Sequence, residues 1–247
     1  MVNNIPLFGI ADKVESAIAL IREHEPPEGY FVCFSGGKDS CVTYDLVKRA
    51  GVKHDVHYNV TTLEPPQLIE FINANFSDIE FHYPPKDIWQ LMRYHMFPPT
   101  RLIRYCTTEL KMTNGQGRVK ISGVRRLESS RRRNLEAWMA STDGARFLNP
   151  IINWSADDVW EYIHSRNIPY CKLYDAGFTR LGCVLCPCQG RAETQLHLQT
   201  FPDIAAKFKE TFDWIVEERK RRERLGKVYK PPGFKTGEEL WDWWIKR

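Results

Sequence analysis

The segment 35–40 combines the residue types that bind phosphate groups in proteins. It reads Ser-Gly-Gly-Lys-Asp-Ser and follows an apolar run, residues 30–34, that is typical of a buried strand. The two glycines permit a tight turn that directs backbone N–H groups at an anion, and the lysine adds a positive charge. A helix is expected to begin after the turn, with its positive end at the same point. The pattern predicts a phosphate-binding loop that consists of Ser35, Gly36, Gly37, Lys38, Asp39 and Ser40.

This loop resembles the PP-loop of the ATP pyrophosphatase superfamily, whose members cleave ATP between its α and β phosphates and form an adenylated intermediate. It differs from Gly-x-x-x-x-Gly-Lys-Ser/Thr, which holds the β and γ phosphates for transfer of the γ group. The resemblance implies that ATP yields AMP and pyrophosphate. Lys38 and the loop amides would stabilise the departing pyrophosphate. Asp39 is a candidate Mg²⁺ ligand, and the alternative is that its carboxylate caps the helix.

Cysteine is concentrated in one stretch of the chain. Of the seven cysteines, four lie between residues 171 and 188, and Cys183, Cys186 and Cys188 form the string Cys-x-x-Cys-Pro-Cys. Without a secretory signal we do not expect disulfides, and thiolates spaced in this way can ligate a metal. Cys183 and Cys186 are the strongest candidate ligands, and Cys171 or Cys188 would complete a set of four that includes one further cysteine outside this stretch. An all-cysteine set suits either a [4Fe–4S] cluster or a structural zinc ion.

Hydrophobic periodicity predicts the elements that position these residues. Helices are expected at 11–24, 39–50, 66–74, 88–96 and from 156 onward, with Ser155 as an N-cap. Strands are expected at 30–34, 54–60, 79–83, 117–125 and 148–154. Strands that alternate with helices favour a doubly wound, mainly parallel α/β sheet, with the ligand at the carboxyl ends of the strands. Cys33 and Cys41 fall in the first strand and the helix after it, and we expect them to fill the core.

The composition is that of an ordinary globular chain. It has 247 residues, of which 43% are hydrophobic, and a net charge of +4. The first residues lack the basic and apolar regions of a signal peptide, and no stretch approaches a membrane-spanning length, so we expect a cytoplasmic protein with no membrane partner. A change in character near residue 166 predicts a PP-loop domain at 1–165 and a cysteine-rich loop with a helical tail at 166–247. The tail either packs on the same domain or forms its own.

Three further motifs resemble the phosphoadenosine phosphosulfate reductase branch of the superfamily. They are Arg-Tyr-Cys-Thr-Thr-Glu-Leu-Lys at 104–111, Gly-Val-Arg-Arg-Leu-Glu-Ser-Ser-Arg-Arg at 123–132 and Asn-Pro-Ile-x-x-Trp-Ser-x-x-Asp-Val-Trp at 149–160. The resemblance covers residues 25–190 and implies an adenine nucleotide alpha hydrolase-like fold with a helical C-terminal extension. It implies that Cys106 is a cluster ligand, that Arg125 and Arg131 approach the nucleotide, and that Gly123 belongs to the same pocket. The alternative for the arginines is a solvated basic loop.

Thr61 follows the second predicted strand. At the switch point of the sheet this position lies beside the phosphate-binding loop, so Thr61 is expected to line the nucleotide pocket. The same segment also suits the entry turn of the next helix, in which Pro66 is an early residue. Both interpretations can hold together.

Two enzyme functions are consistent with the resemblance. Reductases of this branch attack a bound sulfonucleotide with a cysteine near the C-terminus, but no cysteine follows Cys188 here. We therefore expect an ATP pyrophosphatase that adenylates a substrate for sulfur insertion, as in DNA phosphorothioation or tRNA thiolation, with a sulfur nucleophile displacing AMP. One alternative is a sulfonucleotide (PAPS or APS) reductase that uses an atypical thiol. The other is a non-catalytic subunit that binds a nucleotide or a cluster.

Basic residues are grouped at 125–133 and 219–224. Because Lys and Arg pair with phosphates of any base sequence, a nucleic acid is the expected acceptor. Tryptophans at 241, 243 and 244 could add stacking, although a solvated helix face and a core role for the tryptophans explain the same residues. The further expected partners are a cysteine desulfurase or other sulfur donor and additional subunits of a modification system.

Overall fold

The computed structural model describes residues 9–140, 144–229 and 233–246. It divides the chain into two units. The first contains Met1–Tyr58, Gln67–His82 and Asn114–Tyr174, and the second contains Asn59–Pro66, Tyr83–Thr113 and Asp175–Arg247. This division differs from the predicted boundary at residue 165, because the segments after the second and third strands belong with the C-terminal helices.

The regular elements alternate along most of the chain, as the periodicity predicted. The strands are β1 (Tyr30–Cys33), β2 (His54–Asn59), β3 (Ile79–His82), β4 (Val119–Ile121), β5 (Trp138–Ala140) and β6 (Arg146–Leu148). The α-helices are α1 (Ile10–Glu23), α2 (Lys38–Ala50), α3 (Pro66–Asn75), α4 (Ile88–His95), α5 (Ala156–Arg166), α6 (Arg191–Thr200), α7 (Pro202–Arg224) and α8 (Gly237–Ile245). Within the described ranges, none of these helices combines the length and the apolar character needed to cross a membrane.

A six-stranded sheet organises the first unit, in the order β3-β2-β1-β4-β6-β5. β1 is parallel to both β2 and β4, β4 is parallel to β6, and β5 is antiparallel to β6. The direction of winding reverses between β1 and β4, so the loops at the carboxyl ends of these two strands form the switch point where ligands bind in such sheets. The predicted doubly wound, mainly parallel α/β fold is confirmed.

Helices cover the sheet through apolar faces. Val14, Ile18 and Ile21 recur at helical spacing on α1, and all three are buried. α1 packs against α2, and α2 packs against α5. Ser155 caps α5 as predicted, because its hydroxyl accepts the N–H of Asp158 at 3.0 Å while the Asp158 carboxylate accepts the N–H of Ser155 at 2.7 Å.

The last predicted strand, 148–154, is wrong. β6 ends at Leu148, and the next residues form turns in which the Ile152 N–H donates to the Asn149 carbonyl. Pro150 has no N–H to give to a neighbouring strand. The Asn149 side chain accepts the Ser122 hydroxyl at 2.7 Å, which fixes the turn against the loop after β4. The antiparallel edge strand β5 was not predicted.

The second unit is mainly helical in the residues described. α7 packs against α4, α6 and α8. Trp244 of α8 contacts Phe208 and Phe212 of α7, and both Trp241 and Trp244 are buried. Trp243 is 40% exposed. The core interpretation therefore applies to Trp241 and Trp244 but not to Trp243.

Candidate functional site

The predicted phosphate-binding loop connects β1 to α2 in the first unit. Gly36 adopts a left-handed conformation with φ of +69°. A Cβ atom at this position would lie 2.7 Å from the Leu68 side chain and 2.8 Å from that of Ile72. Backbone conformation and packing therefore both require glycine here. The turn leads into Gly37, which is the N-cap of α2.

Hydroxyl groups hold the two ends of the loop together. Ser40 donates to the Gly37 carbonyl at 2.8 Å and accepts the Ser35 N–H at 3.2 Å. The Tyr174 hydroxyl accepts the N–H of Lys38 at 2.9 Å, and the Lys38 ammonium lies 5.2 Å from the centroid of the Tyr174 ring. Burial raises the pKa of Tyr174, so the phenol is neutral. The Tyr174 oxygen thus accepts from one of the backbone N–H groups at the start of α2, and these are the groups that can bind an anionic oxygen.

Asp39 lies in the first turn of α2 and pairs with two cations. Arg125 Nε donates to Asp39 Oδ1 at 2.5 Å, and the Lys38 ammonium lies 3.3 Å from Asp39 Oδ2. Arg125 is buried, and the Asp39 side chain is 18% exposed. Because the N-cap is Gly37 and no side chain caps the helix, the capping interpretation of Asp39 is wrong. Its role as a Mg²⁺ ligand stays a prediction.

Gly123 follows β4 and lies against the start of α2. A Cβ atom there would be 2.6 Å from the Asp39 carbonyl oxygen and 3.0 Å from the Thr43 hydroxyl. Glycine thus allows the loop after β4 to approach the α2 backbone, which brings Arg125 within reach of the Asp39 carboxylate. This packing accounts for Gly123, and its predicted contact with a nucleotide stays a prediction.

The other arginines of the 125–133 run have different surroundings. Arg126 and Arg132 form ion pairs with glutamates at partly exposed positions. Arg131 is exposed on a short 3₁₀ turn, Ser130–Arg132. The structure therefore brings Arg125 together with the phosphate-binding loop, and the approach of Arg131 to a nucleotide stays a prediction. The solvated-loop interpretation suits the exposed members of the run.

A second candidate site lies within the second unit. One cavity, with a volume of about 40 Å³, is lined by Cys106, Cys183, Cys186 and Cys188. Thr61 lines the same cavity, with its hydroxyl 3.1 Å from the Cys183 sulfur. The structure thus places Thr61 beside a cysteine, and its predicted contact with the nucleotide stays a prediction.

Cys106 directly precedes a single π-helical turn, Thr107–Lys111. This wide turn brings residues five apart onto one side, so Cys106 and Lys111 both line the cavity. Lys111 donates a hydrogen bond to the Cys183 sulfur, and the pKa of Lys111 is raised, chiefly by the charge of Cys183. Burial raises the pKa of the Cys186 thiol to about 11. A metal that binds here must therefore displace protons from thiols.

The cysteine loop is fixed by side chains outside the loop. Arg101 donates to the Pro187 carbonyl at 2.8 Å and to the Gln189 carbonyl at 2.7 Å. Leu185 has a positive φ of 54° and donates its N–H to His197 Nδ1 at 3.1 Å. Burial lowers the pKa of His197 to about 4, so the imidazole is neutral and can accept this bond.

The spacing of the sulfur atoms tests which metal group suits the cavity. Tetrahedral zinc with Zn–S bonds of about 2.3 Å needs sulfurs about 3.8 Å apart. Among the residues that the structure describes, no three of the four cavity cysteines bring their sulfurs within 4.8 Å of one another. Four soft donors around one cavity suit a metal group held by thiolates, and its identity as a [4Fe–4S] cluster stays a prediction.

The remaining cysteines lie in the first unit. Cys171 is buried with its sulfur 3.8 Å from the Gln67 carbonyl oxygen, and it does not line the cavity. Burial raises the pKa of the Cys33 thiol to about 11 and that of Cys41 further. Of the five cysteines proposed as ligands, the structure brings together Cys106, Cys183, Cys186 and Cys188.

Four residues of these sites were not found from the sequence: Tyr174, Lys111, Arg101 and His197. Lys111 had a signal, since it ends the same motif that contains Cys106, and an ammonium five residues from a cysteine can share a π-helical turn with it. Arg101, His197 and Tyr174 act on backbone groups that are distant in sequence. Such contacts leave no local pattern.

The predicted phosphate-binding loop follows the first strand and lies at the switch point of a doubly wound, mainly parallel sheet, so the fold is of the α/β class. The family model described as the phosphoadenosine phosphosulfate reductase domain matches residues 29–189. The chain belongs to that family, as its motifs predicted.

Two relatives match most of this chain. An uncharacterized protein of Methanocaldococcus jannaschii is 30% identical over 261 residues, which cover 97% of this chain and 51% of the relative. The adenosine 5'-phosphosulfate reductase of Geobacillus kaustophilus is 27% identical over 208 residues, which cover 77% of this chain and 81% of the reductase.

Among solved structures, a phosphate complex of the phosphoadenylyl-sulfate reductase of Candida auris superposes with a TM-score of 0.53 at 17% identity. The superposition covers 72% of this chain and 97% of that one, and it shows the shared fold. The chain spans about half the length of the Methanocaldococcus jannaschii relatives, 51% of one and 45% of another.

Proposed function

We propose that this protein is an ATP pyrophosphatase that transfers the adenylyl group of ATP to an oxygen atom of a second substrate and thereby activates that substrate for sulfur insertion. The observation that carries the proposal is the arrangement of residues at the start of α2, namely Gly36, Lys38, Asp39 and Arg125, which we call the cradle. Gly36 forms a left-handed turn there, and buried Lys38 and Arg125 place two positive charges around Asp39. Such an arrangement suits a polyphosphate rather than an uncharged ligand.

The residues of the first unit have distinct roles in this reaction. The N–H groups at the start of α2 and the Lys38 ammonium would bind the β and γ phosphates and stabilise the negative charge that pyrophosphate gains as it leaves. Arg125 would bind the α phosphate or its bridging oxygen, since it already lies beside Asp39. Asp39 would hold Mg²⁺, which would supply positive charge to offset the charge of the triphosphate. The substrate oxygen forms a bond to the α phosphorus, and AMP remains on the substrate.

The four cavity cysteines of the second unit would serve the sulfur step. We propose that Cys106, Cys183, Cys186 and Cys188 hold a [4Fe–4S] cluster, which supplies a site for binding or delivering sulfur. The Lys111 ammonium beside Cys183 offsets the negative charge of the thiolates. In the overall substitution, a sulfur nucleophile bonds to the activated atom, and AMP departs with the oxygen.

A nucleic acid is the proposed acceptor, with a cysteine desulfurase or related donor and further subunits of a modification system as partners. Exposed Arg131 and Arg133 in the first unit provide cations for a phosphate backbone. The basic run of α7 provides fewer, because Lys220, Arg221 and Arg222 pair with glutamates of the same helix. The first unit is therefore the better candidate for nucleic acid contact.

A sulfonucleotide reductase is the second candidate function. It is favoured by the 27% identity to an adenosine 5'-phosphosulfate reductase over 77% of this chain. A sulfonucleotide also presents an adenosine 5'-phosphate and a second anionic group to the cradle, so binding alone does not separate the two functions.

Product analysis separates them. The anaerobically prepared protein is incubated with ATP labelled at the α phosphate or, in a parallel reaction, at the γ phosphate, with and without tRNA or DNA, and the labelled products are resolved by chromatography. We expect AMP and pyrophosphate, formed by the parent protein and by Lys48→Ala, a change at an exposed lysine of α2. Lys38→Ala should abolish product formation. Formation of ADP and phosphate would contradict the proposal, and thioredoxin-dependent release of sulfite from adenosine 5'-phosphosulfate would establish the reductase instead.

A further inference from the structure

A cluster of two histidines and a glutamate on the sheet belongs to neither set of residues described above. His57 Nδ1 lies 2.8 Å from His82 Nε2 and 3.4 Å from Glu80 Oε2, and His82 Nε2 lies 3.8 Å from Glu80 Oε1. Among the described residues, these form a group in which three ligand atoms lie within 4.8 Å of one another. All three residues are in the first unit.

The strand pattern explains why these side chains meet. β2 and β3 are neighbours, and β3 is the edge of the sheet. His57 lies two residues after Asp55 on β2, and His82 lies two residues after Glu80 on β3, so each pair projects from one face of its strand. Four polar or titratable side chains thus share one face of two adjacent strands, where apolar side chains are the usual occupants.

From this geometry we propose a binding site for a divalent transition metal, of which Zn²⁺ is the representative, with His57 Nδ1, His82 Nε2 and a Glu80 carboxylate oxygen as ligands. Zinc bonds to nitrogen and oxygen of about 2.0–2.2 Å in a tetrahedron place neighbouring ligand atoms roughly 3.3–3.5 Å apart. The three distances of 2.8, 3.4 and 3.8 Å lie around that value, so small side-chain rotations suffice to admit the ion. Two imidazoles and one carboxylate suit zinc and its neighbours better than Mg²⁺ or Ca²⁺.

The surroundings of His57 fix the tautomer that the site needs. Asp55 accepts a hydrogen bond from His57 Nε2, which leaves the lone pair of Nδ1 directed at the other ligands. Arg118 holds Asp55 in place, donating to Oδ1 at 2.5 Å. The Phe31 ring stacks on the His57 imidazole with a centroid separation of 3.8 Å, which fixes its plane. Metal-binding histidines typically donate the N–H of their other ring nitrogen to a carboxylate in this way.

Exposure increases from His57 toward Glu80, which gives the ion a route of entry. The His57 side chain is 8% exposed, that of His82 22%, and that of Glu80 66%. Three protein ligands leave one tetrahedral position for water. Bound metal would tie the edge strand β3 to β2 and reduce its opening, because the ligands come from both strands.

The test reads the histidines directly, so that zinc bound by the cysteine cavity does not enter the result. Side-chain ¹H–¹⁵N correlation spectra of the full chain are recorded anaerobically during a titration with Zn²⁺ alone. We expect the His57 Nδ1 and His82 Nε2 resonances to shift and saturate together, and the amide exchange of β3 to slow. His54→Asn, a control on the same strand whose ring nitrogen bonds the Val52 carbonyl, should leave this response unchanged.

Two variants remove ligands. Glu80→Gln, at a side chain that is 66% exposed, and His82→Asn should each weaken zinc binding, read at the remaining histidine resonances, by more than the roughly 10–100-fold typical of losing an outer-shell partner. If His82→Asn fails to fold, Glu80→Gln alone decides. Histidine resonances that stay unchanged at saturating zinc, or variants with the affinity of the parent, would overturn the site and leave a hydrogen-bonded histidine pair.

Discussion

The guanidinium of Arg125 donates a hydrogen bond of 2.5 Å to the carboxylate of Asp39. The bond joins the loop after β4 to the first turn of α2, on the two sides of the switch point of the sheet. Lys38 lies 3.3 Å from the same carboxylate, so one anion balances two buried cations. A bound triphosphate would offer both cations new partners, and Asp39 would then be available to a metal ion. The pair would thus link binding of the proposed nucleotide to the position of the motif at 123–132.

Loss of Arg125 should destabilise the fold as well as weaken nucleotide binding. Arg125→Ala leaves the largely buried Asp39 carboxylate with Lys38 as its remaining partner, and we expect the free energy of unfolding to fall by about 3 kcal/mol. Urea denaturation measures this. Arg133→Ala, at an exposed position of the same basic run, should change stability by no more than about 0.5 kcal/mol. Equal losses of stability in the two variants would show that the buried ion pair stabilises the fold no more than an exposed arginine does.

Two glycines of similar conformation separate steric from conformational requirements of the phosphate-binding loop. Gly36 has φ of +69° and Gly51 has φ of +70°, but a Cβ would meet Leu68 and Ile72 only at Gly36. Gly51→Ala should cost about 1–2 kcal/mol for the left-handed backbone alone. Gly36→Ala should cost a further 1–3 kcal/mol, roughly, from overpacking, and should weaken ATP binding. Thermal unfolding and ATP titration of both variants test this, and matching values would mean that the side chains of α3 give way.

The ligand set of the cavity can be tested by exchanging cysteines one at a time. Cys188→Ser should lower the iron and sulfide content of the anaerobically prepared protein, because Cys188 lines the cavity. Cys171→Ser is the matched control, since that thiol is buried elsewhere. Elemental analysis and visible absorption should show about four irons per chain in the control. One zinc without iron would replace the cluster by a structural ion, and iron loss in Cys171→Ser would restore Cys171 as the fourth ligand.

The fold and the phosphate-binding loop were predictable because their signals are local. Alternating strands and helices, two glycines after an apolar strand and the Ser155 cap all depend on residues close in sequence. The turn after Leu148 was misread because an apolar run with a proline resembles a strand end until its hydrogen bonds are known. The partition of the cysteines could not be predicted, because it depends on which loop packs with which helices. His57 and His82 are 25 residues apart and meet only through the strand order of the sheet.

The charge of Lys111 should set the reduction potential of the proposed cluster. Lys111→Met keeps the length of the side chain but removes the ammonium beside Cys183. The reduced cluster carries more negative charge than the oxidised one, so removing a nearby cation destabilises the reduced form more. We therefore expect the reduction potential to fall by tens of millivolts, since about 1 kcal/mol corresponds to roughly 40 mV for one electron. A redox titration measures this. Lys227→Met, at an exposed position after α7, should keep the parent potential, and an unchanged potential in Lys111→Met would mean that solvent screens the ammonium.

The buried His197 should make stability dependent on pH in the mildly acidic range. Burial lowers its pKa from 6.5 to about 4 in the folded state, so the unfolded chain binds more protons between these values. The stabilisation is complete above pH 6.5 and is lost progressively as the pH falls toward 4. At about 1.36 kcal/mol for each unit of pKa, the total loss is roughly 3 kcal/mol.

The cysteine loop should respond to the same titration, because protonation of His197 removes the acceptor of the Leu185 N–H. His197→Gln retains an acceptor that does not titrate, so its unfolding free energy should vary less between pH 7 and pH 4.5 than that of the parent protein. Denaturant titrations at the two pH values measure the difference, and His164→Gln, at an exposed histidine of α5, should behave as the parent. If His197→Gln retains the full pH dependence, other titrating groups determine it, and the loop is not held by a neutral imidazole.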